Sequence, residues 1–106
     1  MRYTFEPDEG RLYLHRERDE KDELLRRLRR IEGQARGLQQ MIEDDRHCLD
    51  DVQQLNALTS AAREVALLVI ASHLEACVEF AVEAHDGQVA VQEMVTCLRA
   101  AMRQTG

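Results

Sequence analysis

Apolar residues recur along most of this chain at alternating spacings of three and four. Between Asp22 and Glu43 the series is Leu24, Leu28, Ile31, Ala35, Leu38 and Ile42, which forms one stripe on a helix of 3.6 residues per turn. Gly33 interrupts it at a cost of about 1 kcal/mol against alanine, and a glycine there suits close approach of another backbone. The pattern pauses at Glu43-Asp44-Asp45-Arg46, where Asp44 or Asp45 is expected to cap the next helix. A second series then runs Leu55, Leu58, Ala62, Val65, Val69, Ser72, Ala76, Phe80, with Ala66, Ile70, His73 and Cys77 beside it. Two neighbouring stripes predict a long helix covered on much of its circumference. His85-Asp86-Gly87 reads as its stop, with Gly87 at the left-handed position, and Val91, Val95, Leu98 and Met102 mark a third helix. The predicted helices span about 21–44, 47–84 and 88–104 within a single domain, 20–106. Residues 1–19 mix charges with Pro7 and Gly10 and show no sustained period, so a flexible arm is expected there.

Three such helices fit an all-α fold, and the composition agrees: one proline, no tryptophan and little aromatic content. A length of 106 residues supports one modest core. No apolar run approaches the ~20 residues that span a bilayer, and no signal-peptide pattern opens the chain, so the expectation is a cytoplasmic protein with no membrane partner. In a reducing compartment the three cysteines are thiols or metal ligands rather than a disulfide framework.

The second helix outruns what the third can cover, which leaves apolar surface in need of a partner. An antiparallel dimer of the first two helices forms a four-helix bundle and answers that need. The small residues Thr59-Ser60-Ala61-Ala62 sit where the long helices would cross. This matters for Cys48, His73 and Cys77. The last two are four apart and share a helix face, but Cys48 lies 25 residues before His73. At a rise of ~1.5 Å per residue that is about 37 Å, too far for one ion. With a crossing near residue 61 or 62, Cys48 of one chain lies opposite the midpoint of His73 and Cys77 of the other. Two thiolates and an imidazole form a soft set suited to Cu(I), or to Zn(II) or Ni(II) with a fourth donor. Cys97 reads as a core residue, and His15 as an optional further ligand if the arm folds over the site.

The net charge of −6 argues against a nucleic-acid partner, but its distribution does not. Arg26, Arg27, Arg29, Arg30 and Arg36 crowd the first helix, whereas beyond Arg63 only Arg99 and Arg103 are basic. Charge alone is equally consistent with a solvated face laced by ion pairs.

The run Arg27-Leu28-Arg29-Arg30-Ile31-Glu32-Gly33-Gln34-Ala35-Arg36-Gly37-Leu38 resembles the helix-1 signature of the copper-sensitive operon repressor family. The likeness continues through Met41-Ile42-Glu43, Asp45-Arg46-His47-Cys48, Gln54, Ala57, His73, Cys77, Asp86-Gly87 and Glu93, over about residues 21–104. It implies an all-helical repressor built as a dimer of dimers, whose apo form binds operator DNA and whose effector releases it. It also implies metal ligation by Cys48 of one chain with His73 and Cys77 of the other. Glu93 matches a position that couples the ligated histidine to the DNA-binding surface. His47 stands where several copper sensors have a tyrosine. Arg27 matches a DNA-contacting position, and Arg29, Arg30 and Arg36 are expected to add phosphate contacts. On the second helix the family's basic position falls on Glu64, with Arg63 beside it.

The expected function is therefore a Cu(I)-responsive repressor. A nickel-responsive member of the same family, drawing on His15, is the alternative, and a metal-storage or transfer protein without DNA is a rival of another class. No nucleophile–base pair, phosphate loop or catalytic carboxylate pair points to an enzyme.

Overall fold

The computed structural model describes residues 2–103. In order along the chain are β1 (Tyr3–Glu6), β2 (Arg11–Leu14), α1 (Arg18–Glu43), α2 (Cys48–Ala84) and α3 (Gly87–Arg103). The chain divides into two compact units: Arg18–Val65, and the residues up to Glu17 together with those from Ala66 onward.

In the first of these units, α1 opens with Asp19 and Glu20 in its first turn, where carboxylates meet the positive end of the helix dipole. Its exposed faces carry i,i+4 pairs: Arg18 with Asp22 at 2.8 Å, Glu23 with Arg27 at 3.0 Å and Glu32 with Arg36 at 3.3 Å. Of the apolar stripe, Leu38 is buried while Leu28 and Ile42 remain 47% and 61% exposed among the described residues. The helix ends in a Schellman turn, in which Arg46 N–H donates to Met41 O at 3.0 Å and Asp45 N–H to Ile42 O at 3.2 Å. Asp45 sits at φ 54°, a left-handed conformation that Asp tolerates better than most residues. It closes α1 and does not cap α2. That cap is His47, whose Nδ1 accepts the Leu49 N–H at 3.1 Å.

The second unit corrects the reading of the N-terminal arm. Residues 3–14 form an antiparallel hairpin in the register Tyr3↔Leu14, Thr4↔Tyr13, Phe5↔Leu12 and Glu6↔Arg11. Pro7 opens its turn and Gly10, at φ 66°, closes it, with Gly10 N–H on Glu6 O at 2.9 Å. An isolated hairpin is marginal in water. This one is held by burying Tyr3 and Leu12 with Ala76, Cys77, Phe80 and Ala90. Tyr3 meets Phe80 edge-on at 5.9 Å between ring centroids, and Phe5 lies 5.1 Å from the same ring. Polar ties add to the packing: Arg2 to Glu75 and Glu79, both at 3.5 Å, Tyr3 OH donating to Glu83 at 2.5 Å, and Arg16 donating to Val69 O at 3.4 Å.

The α2–α3 turn is also shifted from expectation. His85, not Gly87, takes the left-handed conformation at φ 54°. Gly87 opens α3, and Asp86 caps it by accepting the Val89 N–H at 3.2 Å. Along α2, Val65, Ala76, Cys77 and Phe80 are buried, yet Leu55, Leu67, Val78 and Val82 stay 48–69% exposed. By length and composition alone α2 is apolar enough to cross a membrane. It passes on average composition although no uninterrupted apolar run within it approaches ~20 residues. The interspersed Ser72, His73 and Glu75 had broken the purely apolar run, but the average over the helix is high.

Candidate metal centre

Spacing on α2 and the docking of α3 build one cluster. His73 and Cys77, one turn apart, face Glu93 of α3, and a donor atom from each of the three lies within 4.8 Å of the others. His73 Nε2 and Glu93 Oε2 are 2.9 Å apart, with only 15% and 12% of their side chains exposed. Glu93's other oxygen, Oε1, accepts the Leu12 N–H of the hairpin at 3.1 Å. With the imidazole neutral, Nε2 donates to the carboxylate, so Nδ1 is the nitrogen left with a free lone pair.

Cys77 is fully buried. Burial pushes its thiol up to about 11, with the Glu93 carboxylate and Cys97 adding to the shift. Cys97, one turn beyond Glu93 on α3, is a half-buried free thiol whose own value is raised by burial and then by Glu93. It was read as a plain core residue, yet its charge is felt at Cys77.

The remaining predicted residues lie elsewhere. Cys48 is an exposed free thiol at the first residue of α2, in the other compact unit. His47 is occupied as the cap of α2. His15 is exposed at the end of β2, its Nε2 against Thr4 Oγ1 at 2.5 Å, and it is not part of the cluster. Arg29, Arg30 and Arg63 are exposed, and no ion-pair partner is found for them among the described residues. Arg27 and Arg36 are paired with Glu23 and Glu32. Glu64 is exposed beside Arg63.

A half-buried imidazole and a buried thiol suit a thiophilic ion, and the His73–Glu93 contact orients the imidazole. Among the described residues the cluster offers two soft donors, one imidazole and one thiol. The high thiol value has a consequence for pH. Near neutrality Cys77 carries its proton and ligation must displace it. Its release alone should raise apparent metal affinity by about tenfold per pH unit below that value. Competition titrations against a chelator between pH 6 and 8 should give a shallower pH dependence for Cys77→Ser than for the wild type, and an equal slope in the two would mean that Cys77 is not a ligand.

Residues 20–100 match the model of a metal-sensitive transcriptional repressor family. The chain is 42% identical over 81 residues to the copper-sensing transcriptional repressor CsoR of Bacillus subtilis (strain 168), covering 76% of this chain and 80% of that one. It is 51% identical over 63 residues to the copper-sensing repressor RicR of Mycobacterium tuberculosis (strain ATCC 25618 / H37Rv), covering 59% and 66%. Among solved structures, the copper-sensing repressor CsoR with Cu(I) from Geobacillus thermodenitrificans NG80-2 superposes with a TM-score of 0.75 at 33% identity, over 82% of this chain and 91% of that one. The nickel-responsive regulator InrS gives 0.73 at 29% identity, over 76% and 90%. With its helices, its His-Cys-Glu cluster and a match over nearly the whole helical region, this chain belongs to the metal-sensitive transcriptional repressor family.

Proposed function

We propose that this protein is a Cu(I)-responsive repressor whose apo form holds operator DNA and whose copper-loaded form releases it. The observation that carries the reading is the placement of a half-buried His73 imidazole beside the buried Cys77 thiol with Glu93 behind the imidazole, while a further exposed thiol, Cys48, stands on the same helix. Helical rise alone puts about 37 Å between Cys48 and His73, so the third donor comes from a second chain. Exposed Val52, Leu55 and Val69, on the helix face that carries His73 and Cys77, give that second chain an apolar surface to cover. An antiparallel pairing about Thr59–Ala62 brings the partner's Cys48 to the His73–Cys77 pair, and two such dimers form the DNA-binding assembly. Copper would supply a bond that draws these three donors together. The chain's own part is to move Glu93 and α3 with the ligated His73. By linkage, copper and operator then weaken one another by the same factor.

DNA contact falls to the α1 arginines. Arg29 and Arg30 are exposed and make no ion pair among the described residues, and Arg27 and Arg36 exchange a glutamate for a phosphate. Arg63 contributes from α2, with Glu64 working against it.

The deciding experiment measures release of labelled operator by anaerobic Cu(I) and by Ni(II), side by side. Cu(I) is expected to release it, and undiminished operator binding at saturating Cu(I) would sink the reading. The similarity to a nickel-responsive regulator keeps one rival in play, in which His15 is a ligand. Since His15 is engaged with Thr4, His15→Ala should leave the Cu(I) response within about twofold of wild type. A nickel response that disappears in His15→Ala would identify nickel as the effector instead.

A further inference from the structure

Glu93 is held from two sides: by His73 Nε2 on one oxygen and by the Leu12 N–H on the other. The hairpin register explains why that backbone donor is available. His15 N–H donates to Arg2 O at 2.7 Å, which makes residues 2 and 15 a hydrogen-bonded pair of the ladder. Pairs alternate in an antiparallel ribbon, so Thr4–Tyr13 and Glu6–Arg11 are hydrogen-bonded and Phe5–Leu12 is not. The Leu12 N–H therefore points away from β1. Its carboxylate partner lies 81 positions along the chain. The Leu12 side chain, 5% exposed, packs into the same cluster as Cys77.

We propose that the N-terminal hairpin is a positioning element of the metal centre, in which the Leu12 N–H fixes Glu93 and Glu93 fixes the His73 ring with Nδ1 free for the metal. This deepens the copper-sensing reading and rests on it for the identity of the ion. Both Glu93 oxygens are engaged, so the carboxylate is kept as an acceptor although it lies within ligand distance of Cys77 and His73. Freed from Leu12, Glu93 can swing to the metal and add a hard oxygen donor, which favours Zn(II) over Cu(I). The hairpin thus sets the preference of the site for a soft ion.

The test replaces Leu12 in the full chain by its α-hydroxy acid, which exchanges the N–H for an ester oxygen and keeps the side chain. Leu12→Ala is the companion variant, keeping the N–H and losing the packing. Two quantities are read: the His73 ring tautomer in the metal-free protein, by nitrogen-15 NMR, and the ratio of Cu(I) to Zn(II) affinity, by chelator competition. The ester should turn a single Nε2–H tautomer into a mixture and lower the affinity ratio by about tenfold, the lower end for loss of an outer hydrogen bond at a metal site. Leu12→Ala should keep the single tautomer. An unchanged tautomer in the ester protein, or an equal mixture in Leu12→Ala, overturns the proposal. Failure of the wild type to bind Cu(I) would instead remove the copper reading, and the tautomer comparison would still decide whether the hairpin holds His73.

Discussion

Mixing Cys48→Ser and Cys77→Ser chains will restore copper binding that neither variant shows alone. Each variant by itself loses one thiolate from every site. The fall in Cu(I) affinity should exceed the ~100-fold that accompanies loss of an outer partner at a metal site. If the ligands come from two chains, however, a mixed dimer carries one site with all three donors and one site lacking both thiolates. After unfolding and refolding an equal mixture, half of the dimers are mixed, so about one quarter of the wild-type tight-binding capacity should return. A site closed within one chain gives no recovery at any mixing ratio. Cys97→Ser is the reference, because it changes a neighbouring thiol that acts on Cys77 without being part of the proposed set. Should the mixture bind no more copper than its components, the antiparallel pairing about Thr59–Ala62 is wrong, whatever the metal.

The helical part of this architecture was legible because its apolar residues keep the helical period over several turns, and α1, α2 and α3 lie within a few residues of the predicted spans. Helix ends were less so. Gly87 looked like the left-handed residue of the α2–α3 turn, but the Asp86 cap draws Gly87 into α3 and leaves His85 to adopt φ 54°. The hairpin was missed for a physical reason. Tyr-Thr-Phe-Glu and Arg-Leu-Tyr-Leu do alternate, on either side of Pro7 and Gly10, but four residues per strand is too short a signal to stand against the charge around it. What stabilises those strands is Phe80, Ala76 and Ala90, more than sixty positions away. Within the cluster, the i,i+4 spacing of His73 and Cys77 was readable directly. Glu93 came only from the family signature, and the Leu12 contribution is a backbone N–H that leaves no trace in residue identity.

Neutralising Arg29 and Arg30 will weaken operator binding through its salt dependence more than through its sequence preference. Both guanidinium groups are exposed on α1, and no carboxylate pairs with them among the described residues, so a phosphate displaces only water and counterions there. Arg27 and Arg36 must first leave Glu23 and Glu32, exposed pairs that are worth only about 0.3–0.5 kcal/mol each. On a chain of net charge −6 the remaining field repels DNA, so these contacts carry the attraction. Each phosphate contact removed should flatten the slope of log K against log salt by about 0.9. Arg29→Gln with Arg30→Gln therefore removes two contacts per DNA-facing chain and multiplies that loss over the assembly. Cognate and scrambled duplexes should lose affinity together, since backbone contacts position a protein without reading bases. Fluorescence anisotropy from 50 to 300 mM salt measures both quantities. A variant that keeps the wild-type slope would place the DNA-binding surface away from α1, and one that loses affinity only for the cognate duplex would make these arginines readers of base edges. Because neither residue belongs to the proposed ligand set, Cu(I) affinity in the absence of DNA should stay within about twofold of wild type, as expected for independent sites.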